Sequence, residues 1–170
     1  MKLTLAVLPL CLLAALSAHA ATRGLQAHDL ATLDRLSSPT LSPDGRQLVF
    51  AKRVVDFDGN KSASGLWIED LSARDAAPPK RLTPEGWNVN SPSFSPDGKT
   101  VYFLSGKSDT SQLYSIPTSG GTPKQLTAFA LDIGTYHLSP DGSRIAFSAD
   151  THGDCGADFG CTKTRLDVRE

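Results

Sequence analysis

The chain has 170 residues, with 17 Lys+Arg against 18 Asp+Glu, a formal net charge of −1, and 39% apolar residues. This balance leaves no cationic excess to meet a phosphate backbone, which removes the electrostatic case for nucleic-acid binding. An apolar content of this size with 21% charged residues also excludes a disordered, solvating tail.

The first 20 residues read as an export signal rather than as part of a fold. Lys2 supplies the positive start, Leu3 to Leu16 form an apolar run, and Ala18-His19-Ala20 gives the small-x-small pattern for cleavage before Ala21. The run is too short for a comfortable membrane span and contains Pro9. Cys11 follows Leu10 rather than a small residue, so it belongs to the discarded segment and not to a lipid-anchor site. Cleavage leaves 150 residues with a net charge of −2, and an apolar fraction of roughly 34%, which suits thin strands better than a compact helical domain. No membrane span is expected after cleavage.

Residues 21–38 are expected to form a leading helix and linker. Leu25, Leu30, Leu33 and Leu36 recur at helical spacing, and the pattern should stop near Pro39. From residue 39 onward the chain repeats. Ser-Pro-Asp-Gly occurs at Ser42–Gly45, Ser95–Gly98 and Ser139–Gly142, spaced by 53 and 44 residues. Each copy is preceded by Leu41, Phe94 or Leu138. An aliphatic residue follows six positions after each Ser (Leu48, Val101, Ile145), and Phe follows eight after (Phe50, Phe103, Phe147).

The unit predicts a strand, a tight turn and a strand. Pro43, Pro96 and Pro140 pre-set φ for a type I turn. Asp44, Asp97 and Asp141 can bond the local backbone, and Gly45, Gly98 and Gly142 take the left-handed conformation that closes it. Positions six and eight should lie on one face of the following strand.

A second element recurs downstream. Leu66-Trp67-Ile68 and Leu113-Tyr114-Ser115-Ile116 read as strands, followed by Leu82-Thr83 and Leu126-Thr127. Each Thr precedes the next repeat Ser by 12 residues, which pins the register there. The length difference between repeats falls in VDFDGNKSAS and SARDAAPP, expected to be loops. Repeats of 40–50 residues with about four short strands each indicate a β-propeller. Helical solenoids lack the required period here, and a β-sandwich explains short strands but not the repeated motif.

With these motifs in place, the chain resembles the start of the propeller domain of the prolyl oligopeptidase family of serine peptidases, in the manner of secreted bacterial dipeptidyl- and acylaminoacyl-peptidases. The resemblance rests on HDLATLDRLSSPTLSPDG, LWIEDL, RLT and the SPDG repeats, from Ala27 to about Arg165. The repeat is shared with TolB-like periplasmic propellers, but those would be expected to carry a separate domain before the first blade. The resemblance implies an all-β fold, a partial propeller of four-stranded SPDG blades over residues 39–170. It also implies a following α/β-hydrolase domain with Ser-His-Asp catalysis in a G-x-S-x-G elbow, and peptide substrates for the full protein.

No position matches that elbow: Gly106-Lys107-Ser108-Asp109-Thr110 fails at its last residue. No catalytic residue, metal ligand or cofactor site is therefore assigned. His28, His137 and His152 have no triad pattern, and Asp56-Phe57-Asp58-Gly59-Asn60 opens like a calcium loop but loses the pattern at Lys61 and Trp67. Cys155 and Cys161 in DCGADFGC are expected to form a local disulfide in an exported protein. With His152 and Asp154 they match no zinc spacing.

Two functions follow: the non-catalytic, substrate-gating propeller portion of an exported, periplasmic or secreted peptidase, or a TolB-like binding propeller. Assembly of blades between chains is a third, weaker reading. At 44–53 residues per repeat the mature length holds about three blades, against the roughly 4–8 of closed propellers. The chain is therefore expected to be a fragment, with the remaining blades and the hydrolase domain as its missing partners.

Overall fold

The computed structural model describes residues 24–72 and 77–168. The expected export signal and residues 73–76 of the second expected loop lie outside the described residues. Helix α1 (Ala27–Thr32) leads into three antiparallel sheets. The first has the order β1 (Arg35–Leu41), β2 (Gln47–Asp56), β3 (Lys61–Asp70) and β4 (Lys80–Arg81). The second repeats it with β5 (Val89–Phe94), β6 (Thr100–Ser108), β7 (Thr110–Pro117) and β8 (Lys124–Gln125). The third has two strands, β9 (Thr135–Leu138) and β10 (Ile145–Ser148). A 3-10 turn (Gly153–Cys155) and helix α2 (Phe159–Asp167) follow.

The sheets stack face to face, and the strand sequences show why. Val101–Leu104 is continuously apolar rather than alternating, because the second sheet is covered on both sides and has no polar face. In the second sheet Val101, Phe103, Tyr114 and Ile116 meet Val49, Ala51, Leu66 and Ile68 of the first in one buried cluster. Its other face presents Leu104 and Leu113 to Tyr136 of the third sheet and to Ile133 in the segment leading into it. In the second blade, positions six and eight after the repeat Ser therefore face the preceding blade, and positions seven and nine the following one. In the third sheet Ile145 and Phe147 are only partly covered, 36% and 44% exposed, since β10 is paired on one side alone.

The structure also adds a part of the repeat that the turn motif does not show. Ser38-Pro39 and Ser91-Pro92 each precede an SPDG turn by the same spacing, and each forms a bulge in the first strand of its sheet. Ser38 and Ser91 have φ of 52° and 51°, and the register slips between Ser37 and Thr40 and between Asn90 and Ser93. The carbonyls freed by the second bulge are taken up by neighbouring sheets. Thr40 Oγ1 donates to the Pro92 carbonyl at 3.0 Å, and the Tyr136 hydroxyl donates to the Ser91 carbonyl at 2.8 Å. Burial pushes the Tyr136 phenol up to about 12, so it remains a neutral donor.

Four expectations are corrected. The leading helix spans Ala27–Thr32 rather than Leu25–Leu36, and its Leu stripe is exposed. From Arg35 the backbone pairs with β2, and this ladder outweighs the helical spacing of the side chains. VDFDGNKSAS is not a loop: β2 and β3 continue through it in register from Arg53↔Ser64 to Asp56↔Lys61. The turn is closed by Gly59 N–H donating to Asp56 Oδ1 at 2.9 Å, with Asn60 at φ 47°. Blades do not occupy all of 39–170, because two four-stranded sheets are followed by a half-sheet. Finally, the segment after Ser148 is helical, capped where Asp158 Oδ1 accepts from Cys161 N–H at 2.9 Å.

Candidate functional site

The three SPDG turns are built alike, atom for atom. In the first, Gly45 N–H donates to the Ser42 carbonyl at 2.9 Å, and Ser42 N–H donates to the Gln47 carbonyl at 2.8 Å. Ser42 Oγ donates to Asp44 Oδ1 at 2.6 Å and accepts from Gln47 N–H at 2.9 Å, while Arg46 N–H donates to Asp44 Oδ1 at 3.1 Å. Ser95 with Asp97 and Ser139 with Asp141 repeat these contacts. The serine hydroxyl beside each carboxylate is the main cause holding Asp44, Asp97 and Asp141 below the usual carboxylate range, Asp141 to about 2. Every Ser and Asp of the motif is thus committed to the turn, leaving none poised as a nucleophile or base.

The turns also touch one another along one rim. A Cβ placed on Gly98 would lie 3.6 Å from Pro43 Cδ, and one on Gly142 would lie 3.1 Å from Pro96 Cδ. All three glycines are required by φ near +70°, and Gly142 also by the proline ring of the preceding blade.

The Leu-Thr pairs have an equally local reason. Thr83 Oγ1 accepts from Leu66 N–H at 3.0 Å and Thr127 Oγ1 from Leu113 N–H at 2.9 Å, so each threonine extends a ladder past a two-residue strand. In the second blade this is joined to Gln112, 1% exposed, which sequence reasoning did not single out. Gln112 Nε2 donates to the Phe129 and Leu131 carbonyls, and its Oε1 accepts from Phe129 N–H and Thr127 Oγ1. The crossing from β8 to β9 is thereby tied to the blade. The first blade has Gly65 at that place in the repeat, two residues before Trp67 as Gln112 is two before Tyr114.

The residues weighed for chemistry do not form one constellation. His28 packs edge-on to Phe57 with centroids 4.7 Å apart, His137 pairs with Ala146 in the third sheet, and His152 Nδ1 lies 3.7 Å from Asp154. Ser108 ends a hairpin strand and accepts from the Tyr114 hydroxyl, rather than standing at a strand-to-helix elbow. Cys155 and Cys161 are joined, with Cα atoms 5.6 Å apart, between the 3-10 turn and α2. Among the described residues no cluster of three His, Cys, Asp or Glu is placed to hold a metal, and no helix is long and apolar enough to cross a membrane.

One open cleft of about 810 Å³ lies on the first blade, between the long β2–β3 hairpin and the 85–88 segment. Trp67, Lys52, Val54, Lys61 and Arg81 line it. By register these strand residues share the face opposite to Leu66 and Ile68, turned away from the second blade.

Residues 26–169 match the family described as TolB beta propeller domain. The chain is similar to an uncharacterized peptidase, YuxL, of Bacillus subtilis, at 29% identity over 71% of this chain and 18% of that protein. It is similar to dipeptidyl-peptidase 5 of Porphyromonas endodontalis, at 30% identity over 71% of this chain and 17% of the peptidase. The chain therefore spans under a fifth of the length of these relatives. Among solved structures, the acylaminoacyl peptidase of Pyrococcus horikoshii superposes with a TM-score of 0.57 at 21% identity, over 74% of this chain and 19% of that one, a likeness of fold. The repeated turns, the stacked antiparallel sheets and the match over most of its length agree: this chain belongs to the TolB beta propeller domain family.

Proposed function

We propose that this chain is the substrate-gating propeller portion of an exported serine peptidase of the dipeptidyl- or acylaminoacyl-peptidase type. In this reading it is non-catalytic on its own. The observation that carries the reading is the placement of its similarity. The two peptidase relatives match it at 29% and 30% identity over the propeller repeats, while it spans only 18% and 17% of them. Catalytic Ser, His and Asp would then stand in an α/β-hydrolase domain outside this chain, with further blades completing the ring, and peptides as substrates. Residues 1–20 would direct export to the periplasm or beyond and be removed before Ala21. The Cys155–Cys161 bridge suits that oxidising compartment.

The test uses the chain alone against aminoacyl- and dipeptidyl-nitroanilides. No turnover is expected, and turnover above blank would overturn the assignment of catalysis to another domain. A second reading, a TolB-like binding propeller without chemistry, is favoured by the family match itself. The coding frame after Glu170 separates the two. A hydrolase domain with a G-x-S-x-G elbow supports the peptidase, and a frame that ends after further blades supports the binding propeller.

A further inference from the structure

The insert after β10 is closed largely by its own contacts. Cys155 N–H donates to the His152 carbonyl at 2.9 Å, Asp158 N–H to the Cys155 carbonyl at 3.0 Å, and His152 N–H to Thr162 Oγ1 at 3.2 Å. Thr162 is fully buried beside the bonded Cys155–Cys161 pair. Phe159, Leu166 and Val168 are each at least 41% exposed, so none of them forms a core for the insert. Helix α2 has nine residues, below the length at which a helix holds by itself in water, and Gly160 weakens it further. The disulfide therefore stands in for an apolar core, as it does in small domains that bury too little surface.

The insert reaches the blades through Phe159. This ring meets Phe129 edge-on with centroids 4.9 Å apart, and Phe129 meets Phe147 of β10 in the same manner at 5.4 Å. Phe129 belongs to the crossing from β8 to β9. Both of its backbone groups are bonded to the Gln112 amide, the N–H at 2.8 Å and the carbonyl at 3.0 Å. Phe159 is the first residue of α2, in the same turn as Cys161, so whatever fixes that turn also fixes the ring on Phe129. This contact lies at the end of the sheets opposite to the SPDG turns, where Ser148 pairs with Thr135.

We propose that the Cys155–Cys161 bond is a redox-sensitive lock on the crossing between the second and third sheets. With the bond formed, Phe159 is held over Phe129. A dithiol reductant opens it. One thiolate of the reductant attacks a cysteine sulfur and releases the other cysteine, and its second thiolate then displaces the attacked cysteine from the mixed disulfide. The dithiol is oxidised to a cyclic disulfide, and its two protons end on Cys155 and Cys161. Both cysteines are partly exposed, which gives the attacking thiolate access. The first turn of α2 then frays, Phe159 leaves Phe129, and the crossing loosens. The two four-stranded sheets stay closed, since their ladders run between residues outside the insert. The inference does not depend on the peptidase reading.

The test is amide hydrogen exchange of the full chain, followed by NMR, before and after dithiothreitol and again after oxidised glutathione. Cys11→Ser in every sample leaves a single thiol pair, and a thiol count follows the bond. Reduction is expected to speed exchange at Phe129 and across Phe159–Asp167 by about tenfold or more, with β5, β6 and β7 unchanged. Oxidation should restore both. Cys155→Ser with Cys161→Ser should reproduce the reduced pattern without reductant. Phe159→Ala with the bond intact should speed exchange at Phe129 and leave α2 protected, which separates the ring contact from the bond. The comparison of oxidised with reduced chain stands even where one of these variants fails to fold. Two free thiols before reduction, or a bond that resists the dithiol under native conditions, would overturn the proposal. So would unchanged exchange at Phe129 after full reduction or in Phe159→Ala, loss of protection throughout β5–β7, or no recovery on oxidation.

Discussion

If the SPDG turns support one another across blades, the same Gly→Ala change should cost different amounts at three chemically identical positions. Gly45, Gly98 and Gly142 have φ of 70°, 70° and 69°, so each alanine meets the same left-handed penalty of about 1–2 kcal/mol. Loss of glycine's unfolded-state freedom offsets about 0.4–1 kcal/mol of it. What differs is the neighbour. A Cβ on Gly45 meets nothing within 4 Å, one on Gly98 makes an ordinary contact at 3.6 Å with Pro43, and one on Gly142 stands 3.1 and 3.3 Å from Pro96. A proline ring is tied to the backbone and cannot swing aside. Gly142→Ala should therefore cost about 1 kcal/mol more than the other two. Protection of the β9–β10 amides against hydrogen exchange reads this locally, and urea unfolding reads it globally. The decisive experiment is a double-mutant cycle of Pro96→Ala with Gly142→Ala. Removing the ring should recover about 1 kcal/mol, whereas a coupling below about 0.3 kcal/mol would refute turn-to-turn contact.

Three further outcomes are expected. Thr83→Val and Thr127→Val should each destabilise by about 1–3 kcal/mol, since each strands the strand N–H of Leu66 or Leu113; melting curves check this, and Thr→Ser should restore most of the loss. Gln112→Leu should cost about 2–3 kcal/mol and speed amide exchange at Phe129 and Ile133, because four polar groups of the β8–β9 crossing lose their shared partner. Unchanged exchange there would show that the crossing holds itself. The turn carboxylates, depressed chiefly by their serine hydroxyls, add stability that is present above the ordinary carboxylate range and lost as pH falls through the folded value, about 2 for Asp141. Melting temperature between pH 5 and 2 should fall less steeply in Asp141→Asn, and an identical slope would remove Asp141 from the acid transition.

The repeated blade was legible in the chain because its determinants are local. Pro at one position, Asp at the next and Gly after it specify a turn over four residues. The Leu-Thr pairs lie 12 residues before each next repeat Ser, where no insertion disturbs the register. The helical spacing of Leu25, Leu30, Leu33 and Leu36 and the polar composition of VDFDGNKSAS misled for one shared reason. In both, a strand ladder with β2 satisfies backbone groups that side-chain pattern alone does not count. Tertiary structure alone decided which face of each strand meets which blade, since both faces of a stacked sheet are apolar and periodicity cannot tell them apart. It also decided the partners of the Ser91 and Pro92 carbonyls, the role of Gln112, and the contact of Phe159 with Phe129. Each of these joins residues far apart in the chain. Sequence by itself determined the unit that repeats, and packing between units determined what each copy of a residue does.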